Sequence, residues 1–232
     1  MTTRILRREY SETVPAQYED GFTIFMGTKI KVDARVLIPR PETELLVKIA
    51  ERELRRSNPE KCRIIDMCTG SGAIAITLAK SLPQAHIKAV DISREALEVA
   101  EENIREERLF DNIDILVSDM FSCFGDADEG IYDGIVSNPP YVSDRDFELL
   151  DPWVKAEPPV ALFAGKNGMD HLNTICSQSL RFLKSGGFLA VEIGYDQSLL
   201  VREKMKGTGF FGIESFKDDN GHDRVIIGRK NG

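Results

Sequence analysis

The stretch Arg63-Ile64-Ile65-Asp66-Met67-Cys68-Thr69-Gly70-Ser71-Gly72 decides how this chain is read. Its first five residues form a mostly apolar run of strand length. The glycines at 70 and 72 free the backbone for a tight turn and for close approach to a ligand. Residues 73–81 follow as a helix, so the unit is strand, glycine-bearing loop, helix. The alternation repeats downstream. Residues 86–90 read as a second strand ending at Asp91, and Ser93 caps a helix with Leu97, Ala100 and Ile104 on one face. Residues 113–117 form a third strand, ending at Ser118-Asp119, and 132–136 a fourth. A helix near 171–183 and a turn at Ser185-Gly186-Gly187 lead to a fifth strand at 188–193. A helix opening at Asp196 or Ser198 precedes two final strands, 210–216 and 224–227, joined by a short loop. This pattern predicts a seven-stranded α/β sheet, mostly parallel, with helices on both faces. The short final loop makes the last strand antiparallel.

Upstream, residues 1–20 are polar and read as an arm or one short helix, with a small basic patch at Arg4, Arg7 and Arg8. Residues 22–25 and 29–32 are short β-like runs around Met26-Gly27-Thr28, which suits a hairpin. The prolines of Pro39-Arg40-Pro41 bar a helix until Pro41. Leu45, Leu46, Ile49, Ala50 and Leu54 then recur at helical spacing until Ser57-Asn58-Pro59. The expected division is an arm, hairpin and linking helix over 1–56, and the α/β domain over 57–232.

The 232 residues suffice for one large domain. A formal charge of −8 argues against a nucleic-acid partner, because phosphate attraction needs a basic surface. The cysteines Cys62, Cys68, Cys123 and Cys176 form no Cys-x-x-Cys pair, and the three histidines lie far apart, so no metal site is expected. Scattered thiols suit a reducing, cytoplasmic compartment. No apolar run is long enough to cross a membrane, and no signal peptide precedes the fold.

In an open parallel sheet, ligands bind beyond the carboxyl ends of the strands, near the switch in strand order. Those ends carry Asp66 through Gly72, Asp91, Asp119 and Asn138. An acid ending the second strand is placed to accept hydrogen bonds from both hydroxyls of a ribose, which argues for a nucleoside cofactor. The loop is not a dinucleotide fingerprint, since Ala75 stands where the third glycine belongs, and it lacks the Gly-Lys-Ser/Thr of a P-loop. Ser137-Asn138-Pro139-Pro140-Tyr141 closes the fourth strand. Two prolines stiffen that loop and leave carbonyls unused, Asn138 offers an acceptor, and Tyr141 offers a flat ring. Such a loop can hold a planar NH2 group, an amide or the exocyclic amine of a base. Read alone, it is equally a proline-rich turn, and each acid alone is equally a helix cap.

Together these features resemble the S-adenosylmethionine-dependent methyltransferases of class I Rossmann-like fold. Asn-Pro-Pro-Tyr with Val36-Leu37-Ile38-Pro39-Arg40-Pro41-Glu42-Thr43-Glu44, Glu157-Pro158 and Lys217-Asp218 is similar to the PrmC/HemK family, N5-glutamine methyltransferases of peptide-chain release factors. The resemblance runs from about residue 21 to 228. It implies S-adenosyl-L-methionine as cofactor, touching Asp66, Cys68, Thr69, Gly70, Ser71, Gly72, Asp91, Ile92, Asp119, Met120 and Asn138. Asp66 would lie near the cofactor's charged end, and Asp119 and Met120 would flank the adenine. Asn138, Pro139 and Tyr141 would be catalytic, and Asn138 to Tyr141 with Arg40 and Pro41 would hold the acceptor. Arg40 would then act on substrate or brace its loop against an acid. Two departures stand out. Family members carry Gly where this chain has Cys68, and they carry a helical domain before the hairpin where about 20 residues precede it here. Other acceptors therefore compete, namely a small-molecule amine or amide, or adenine in nucleic acid. An inactive cofactor-binding scaffold is the reading of another class. His86 and His171 read as structural, cap or surface residues. Trp153 reads as a substrate wall or as packing, while Glu192 and Tyr195 border the pocket on one reading.

Overall fold

The central strands are nearly continuous apolar runs whose successive residues point to opposite faces, and the fold follows from giving both faces of that sheet a cover. The structure, a computed structural model, describes residues 13–57 and 61–232. A short helix α1 (Ala16–Asp20) leads into the hairpin β1 (Phe22–Phe25) and β2 (Thr28–Lys31), and then α2 (Pro41–Ser57). The α/β part follows as β3 (Arg63–Met67), α3 (Ala73–Ser81), β4 (His86–Asp91), α4 (Arg94–Glu107), β5 (Ile113–Val117) and β6 (Tyr132–Ser137). Three short helices come next, α5 (Asp144–Leu149), α6 (Pro152–Lys155) and α7 (Pro159–Leu162). The chain ends with α8 (Asp170–Phe182), β7 (Leu183–Glu192), α9 (Ser198–Thr208), β8 (Phe211–Lys217) and β9 (Asp223–Arg229).

The main sheet has seven strands in the order β5-β4-β3-β6-β7-β9-β8. Strands β3 to β7 pair in parallel, and β9 is antiparallel to both β7 and β8. The order reverses between β3 and β6, so the switch point lies where Cys68 and Asn138 leave their strands. The Ser137 hydroxyl donates to the Met67 carbonyl at 2.7 Å and clamps those two strand ends together.

Neighbouring strand residues serve opposite faces. Ile64, Phe188 and Ala190 pack into one cluster with the hairpin's Phe25 and Ile30 and with Leu46 and Leu54 of α2. Ile65, Leu189 and Val191 pack into the other with Ile175 and Cys176 of α8 and Val201 of α9. Each fully buried leucine or isoleucine contributes on the order of 2 kcal/mol. The hairpin and α2 thus share a core with the sheet. A buried Asn103 on α4 ties them further. It accepts from Lys31 N at 2.7 Å and donates to the Ser71 carbonyl at 2.9 Å, joining β2 to the glycine loop.

Two expectations need correction. Ser185-Gly186-Gly187, expected as a turn, lies inside β7, which starts five residues earlier than its apolar run. Gly186 N donates to the Lys230 carbonyl and Lys230 N to that of Gly187, and these bonds keep the stretch in the sheet despite a φ of 78° at Gly186. The stretch after β6, for which the sequence reading gives no element, holds α5, α6 and α7. The arginines Arg4, Arg7 and Arg8, and the helix stop at Asn58-Pro59, lie outside the described residues.

Candidate active site

The carboxyl ends of β3 to β6 open onto a cleft. Cys68, Gly70, Asp91, Ile92, Asp119, Met120, Asn138 and Pro140 line it. Val36 and Leu37, from the strap between β2 and α2, and Val160 and Ala161 of α7 form its outer walls. The cleft is apolar with two acids, and the one arginine in its wall, Arg35, is taken up by Asp33 and Glu98.

The glycine loop is built from beneath. Asp66 Oδ2 accepts from the Thr69 hydroxyl at 2.6 Å and from Ala75 N at 3.1 Å, fixing the loop to the first turn of α3. Asp66 is fully buried, and its Oδ1 has no partner. Burial pushes its carboxyl from 3.8 up to about 7. It therefore stands behind the loop and does not line the cleft. Thr69, Ser71 and Gly72 likewise support the loop from behind, whereas Gly70 has φ 55° and open space where a side chain would stand. Gly70 N donates to Asp91 Oδ2 at 2.9 Å, and Ser93 N to Asp91 Oδ1 at 2.9 Å. An ionised carboxylate has about four acceptor positions, so Asp91 keeps two in hand. Burial also raises the Asp91 carboxyl.

Cys68 sits at φ 63°, a left-handed conformation that costs a side-chain-bearing residue about 1–2 kcal/mol and a glycine almost nothing. The glycine expected here from the family resemblance has this backbone reason. Burial and the neighbouring Asp91 push the Cys68 thiol well above its ordinary range, so it stays protonated and is a poor nucleophile.

Asn138 belongs to the cleft and to a buried network behind it. Its Nδ2 donates to Thr43 Oγ1 at 3.1 Å, and that hydroxyl donates to Glu192 Oε2 at 2.8 Å. The Tyr141 hydroxyl meets Glu192 Oε1 at 3.4 Å. Burial lifts Glu192 to about 7. Asn138 Oδ1 and the carbonyls of Pro139 and Pro140 meet no donor among the described residues. Tyr141 turns from the first cleft to a neighbouring cavity lined by Arg145, Lys166, Tyr195, Gln197 and Arg224.

Arg40 and Pro41 do not line the cleft. Arg40 donates to Glu157 Oε2 at 2.6 Å and lies over the Trp153 ring at 5.1 Å, while Pro41 is exposed at the start of α2. Glu157 is 1% exposed and also accepts from Ile38 N at 3.4 Å. The pair joins the Val36–Leu37 wall to the α6–α7 wall, which is the bracing arrangement for Arg40. Burial raises Glu157 to about 7 although Arg40 opposes the shift. His171, expected at a cap or on the surface, lies in the cleft wall with its Nδ1 unpartnered, and burial lowers its pKa. Nothing local in the sequence marks His171 as a site residue, whereas Glu192 was expected on one reading to border the pocket. Glu157 was visible only as part of a motif.

Residues 41–156 match the family described as Methyltransferase small domain. The release factor glutamine methyltransferase of Koribacter versatilis is 40% identical over 231 residues, covering 97% of this chain and 78% of that protein. That of Escherichia coli K12 is 38% identical over 215 residues, covering 93% of this chain and 75% of the relative. Among solved structures, the release-factor-specific protein-(glutamine-N5) methyltransferase of Alicyclobacillus acidocaldarius is 29% identical with a TM-score of 0.52, covering 87% of this chain and 99% of that one. Identity at this level, sustained across nearly the whole chain, places the protein in the release factor glutamine methyltransferase family.

Proposed function

We propose that this protein transfers a methyl group from S-adenosyl-L-methionine to the side-chain amide nitrogen of a glutamine in a peptide-chain release factor. The observation that carries the reading is Asn138. It ends the strand at the switch point, lines the cleft, and keeps an acceptor oxygen unused beside two unused proline carbonyls.

The cleft suits the cofactor. Its acids, Asp91 and Asp119, favour a cation, and its apolar walls favour a base. When bound, S-adenosyl-L-methionine supplies an electrophilic methyl group. Asp91 has acceptor capacity left that would serve the ribose hydroxyls, while Ile92, Asp119 and Met120, which line the cleft, would hold the adenine. Cys68 and Gly70 give the cofactor its backbone wall. Asp66, Thr69, Ser71 and Gly72 hold that wall in shape.

An amide nitrogen is a weak nucleophile, because its lone pair is delocalised into the carbonyl. Asn138 Oδ1 and the Pro139 carbonyl accept its two hydrogens, which aims the lone pair and favours the more positive nitrogen of the transition state. With the cofactor bound, a nitrogen–carbon bond would form as the sulfur–carbon bond breaks, S-adenosyl-L-homocysteine would leave, and the nitrogen would then give a proton to water. No strong base is needed. Pro140 lines the acceptor side of the cleft, while Tyr141 anchors the loop through Glu192. The hairpin, the strap and α2, among the described residues, act as the brace of the α/β domain. A release factor as substrate places the enzyme in the cytoplasm. Among the described residues no helix is long and apolar enough to cross a membrane. The charge of −8 disfavours adenine in nucleic acid as the acceptor.

The test supplies methyl-labelled cofactor and a release factor, and maps the label by mass spectrometry. Label on a glutamine side chain is expected. Label confined to another residue type would overturn the reading.

A further inference from the structure

We infer that Thr43 and Glu192 are positioning residues, forming a one-way hydrogen-bond relay that locks the Asn138 side chain with Oδ1, and not Nδ2, towards the acceptor. The inference rests on the reading of Asn138 as the group that holds the acceptor amide.

An asparagine amide is nearly symmetric in shape, so packing alone does not choose between its two orientations. The choice matters here. Presented the wrong way round, Asn138 would set its own NH2 against the NH2 of the acceptor, two donors facing each other. Something behind the residue must discriminate, and the network there does so with a single proton.

Thr43 Oγ1 stands between Asn138 Nδ2, at 3.1 Å, and Glu192 Oε2, at 2.8 Å. A hydroxyl carries one proton. Above its pKa of about 7, Glu192 is a carboxylate, 1% exposed, that can only accept, Oε2 from the Thr43 hydroxyl and Oε1 from that of Tyr141, so at pH 8 and above the Thr43 proton is committed to it. Only lone pairs of Thr43 then remain towards Asn138, and only an N–H can meet them. The flipped amide would set Oδ1 against an oxygen with no proton between them, in a buried place without water to intervene. The relay therefore runs from Asn138 to Thr43 to Glu192, and polarity at the buried end fixes polarity in the cleft.

The sequence separates these three residues by 95 and 149 positions, and three elements bring them together. Thr43 is in the first turn of α2, Asn138 follows β6, and Glu192 ends β7. This gives the proline-flanked entry to α2 a job at the site although Arg40 and Pro41 do not line the cleft. The entry delivers a hydroxyl behind Asn138. Around Glu192 stand Arg224, whose guanidinium is held by Asp218 and the Ile193 carbonyl, and Glu42 on α2.

The experiment compares Thr43→Val, which keeps the shape and removes the relay, with Thr43→Ser, which keeps the hydroxyl. Methyl transfer to a release factor, cofactor affinity and the Asn138 side-chain amide signals in a ¹⁵N spectrum are measured for each. The expected result is a kcat lower by roughly 10- to 100-fold in Thr43→Val, the range for losing one buried hydrogen bond at a positioned group. Thr43→Ser recovers most of that loss, and cofactor affinity is unchanged in both. One Nδ2 proton of Asn138 is protected from solvent exchange in the wild type and in Thr43→Ser, and unprotected in Thr43→Val. Equal turnover in the two variants, or equal protection in all three proteins, overturns the relay. So does a loss of cofactor affinity in Thr43→Val that accounts for its lost turnover. The protection measurement needs no acceptor. A wild type that shows the protection pattern yet fails to methylate a release factor would refute the proposed acceptor and leave the relay standing.

Discussion

Replacing Asp66 by Asn should raise stability at pH 8 by about 2–3 kcal/mol more than it does at pH 5. Asp66 is fully buried, one of its oxygens has no partner, and its carboxyl sits at about 7 instead of 3.8. A folded-state pKa above the unfolded one means that the folded state binds its proton more tightly. The associated stability is complete below the unfolded value near 4 and is lost as pH rises through about 7. At about 1.4 kcal/mol per pKa unit, the whole effect is on the order of 4 kcal/mol, and about 2–3 kcal/mol of it titrates between pH 5 and pH 8. Asparagine copies the neutral form. Its Oδ1 can accept from Thr69 and Ala75, and its NH2 takes the place of the unpartnered oxygen. Urea unfolding of both proteins at pH 5 and pH 8 reads the difference directly. The wild type should fall relative to the variant by about 2–3 kcal/mol over that interval. A variant destabilised equally at both pH values would show that Asp66 is ionised throughout, and would refute its assignment as a buried support behind the loop.

Cys68→Gly should relieve the left-handed strain at φ 63° and clear the wall beside Gly70. Cofactor affinity, measured by titration calorimetry, should tighten severalfold, with stability changed by no more than about 1 kcal/mol because lost thiol packing offsets the strain. Weaker binding would mean that the thiol itself contributes to the site. Glu157→Gln should loosen the brace between the cleft's two outer walls. It keeps an acceptor for Ile38 N but loses the charge that holds Arg40. Because Arg40 can turn to solvent, the stability cost should be about 1–2 kcal/mol, with cofactor affinity lowered at the same time. Unaltered cofactor affinity in calorimetry would exclude a brace that shapes the cleft.

The sheet was legible because its strands are short apolar runs separated by loops rich in glycine, asparagine and aspartate. The seven expected strands all appear, and each ligand-side loop falls at a carboxyl end. Asp91, Asp119 and Asn138 were found for the same reason, since a strand end fixes where a residue stands. What a side chain does there was less visible. Asp66 stands at a strand end and yet points beneath the loop, because its partners, Thr69 and the first turn of α3, lie on that side. The helices α5, α6 and α7 have four to six residues each, too few to display a period. Glu157 and Arg40 are 117 positions apart, and no spacing rule joins residues at that distance. The pairing of Thr43 with Glu192, 149 positions apart, was obscure for the same reason, although Glu192 at the end of its strand could be read as bordering the pocket.

The most direct test of the central claim measures turnover and cofactor binding together in Asn138→Ala. If Asn138 holds the acceptor amide, methyl transfer to the release factor's glutamine should fall by roughly 100-fold or more, as when a donor or acceptor at a transition state is removed. Cofactor affinity should stay within a few-fold of the wild type, because Asp91 and the glycine loop are untouched. Parallel loss of both would make Asn138 a cofactor-site residue only. Full turnover without the side chain would contradict the account outright.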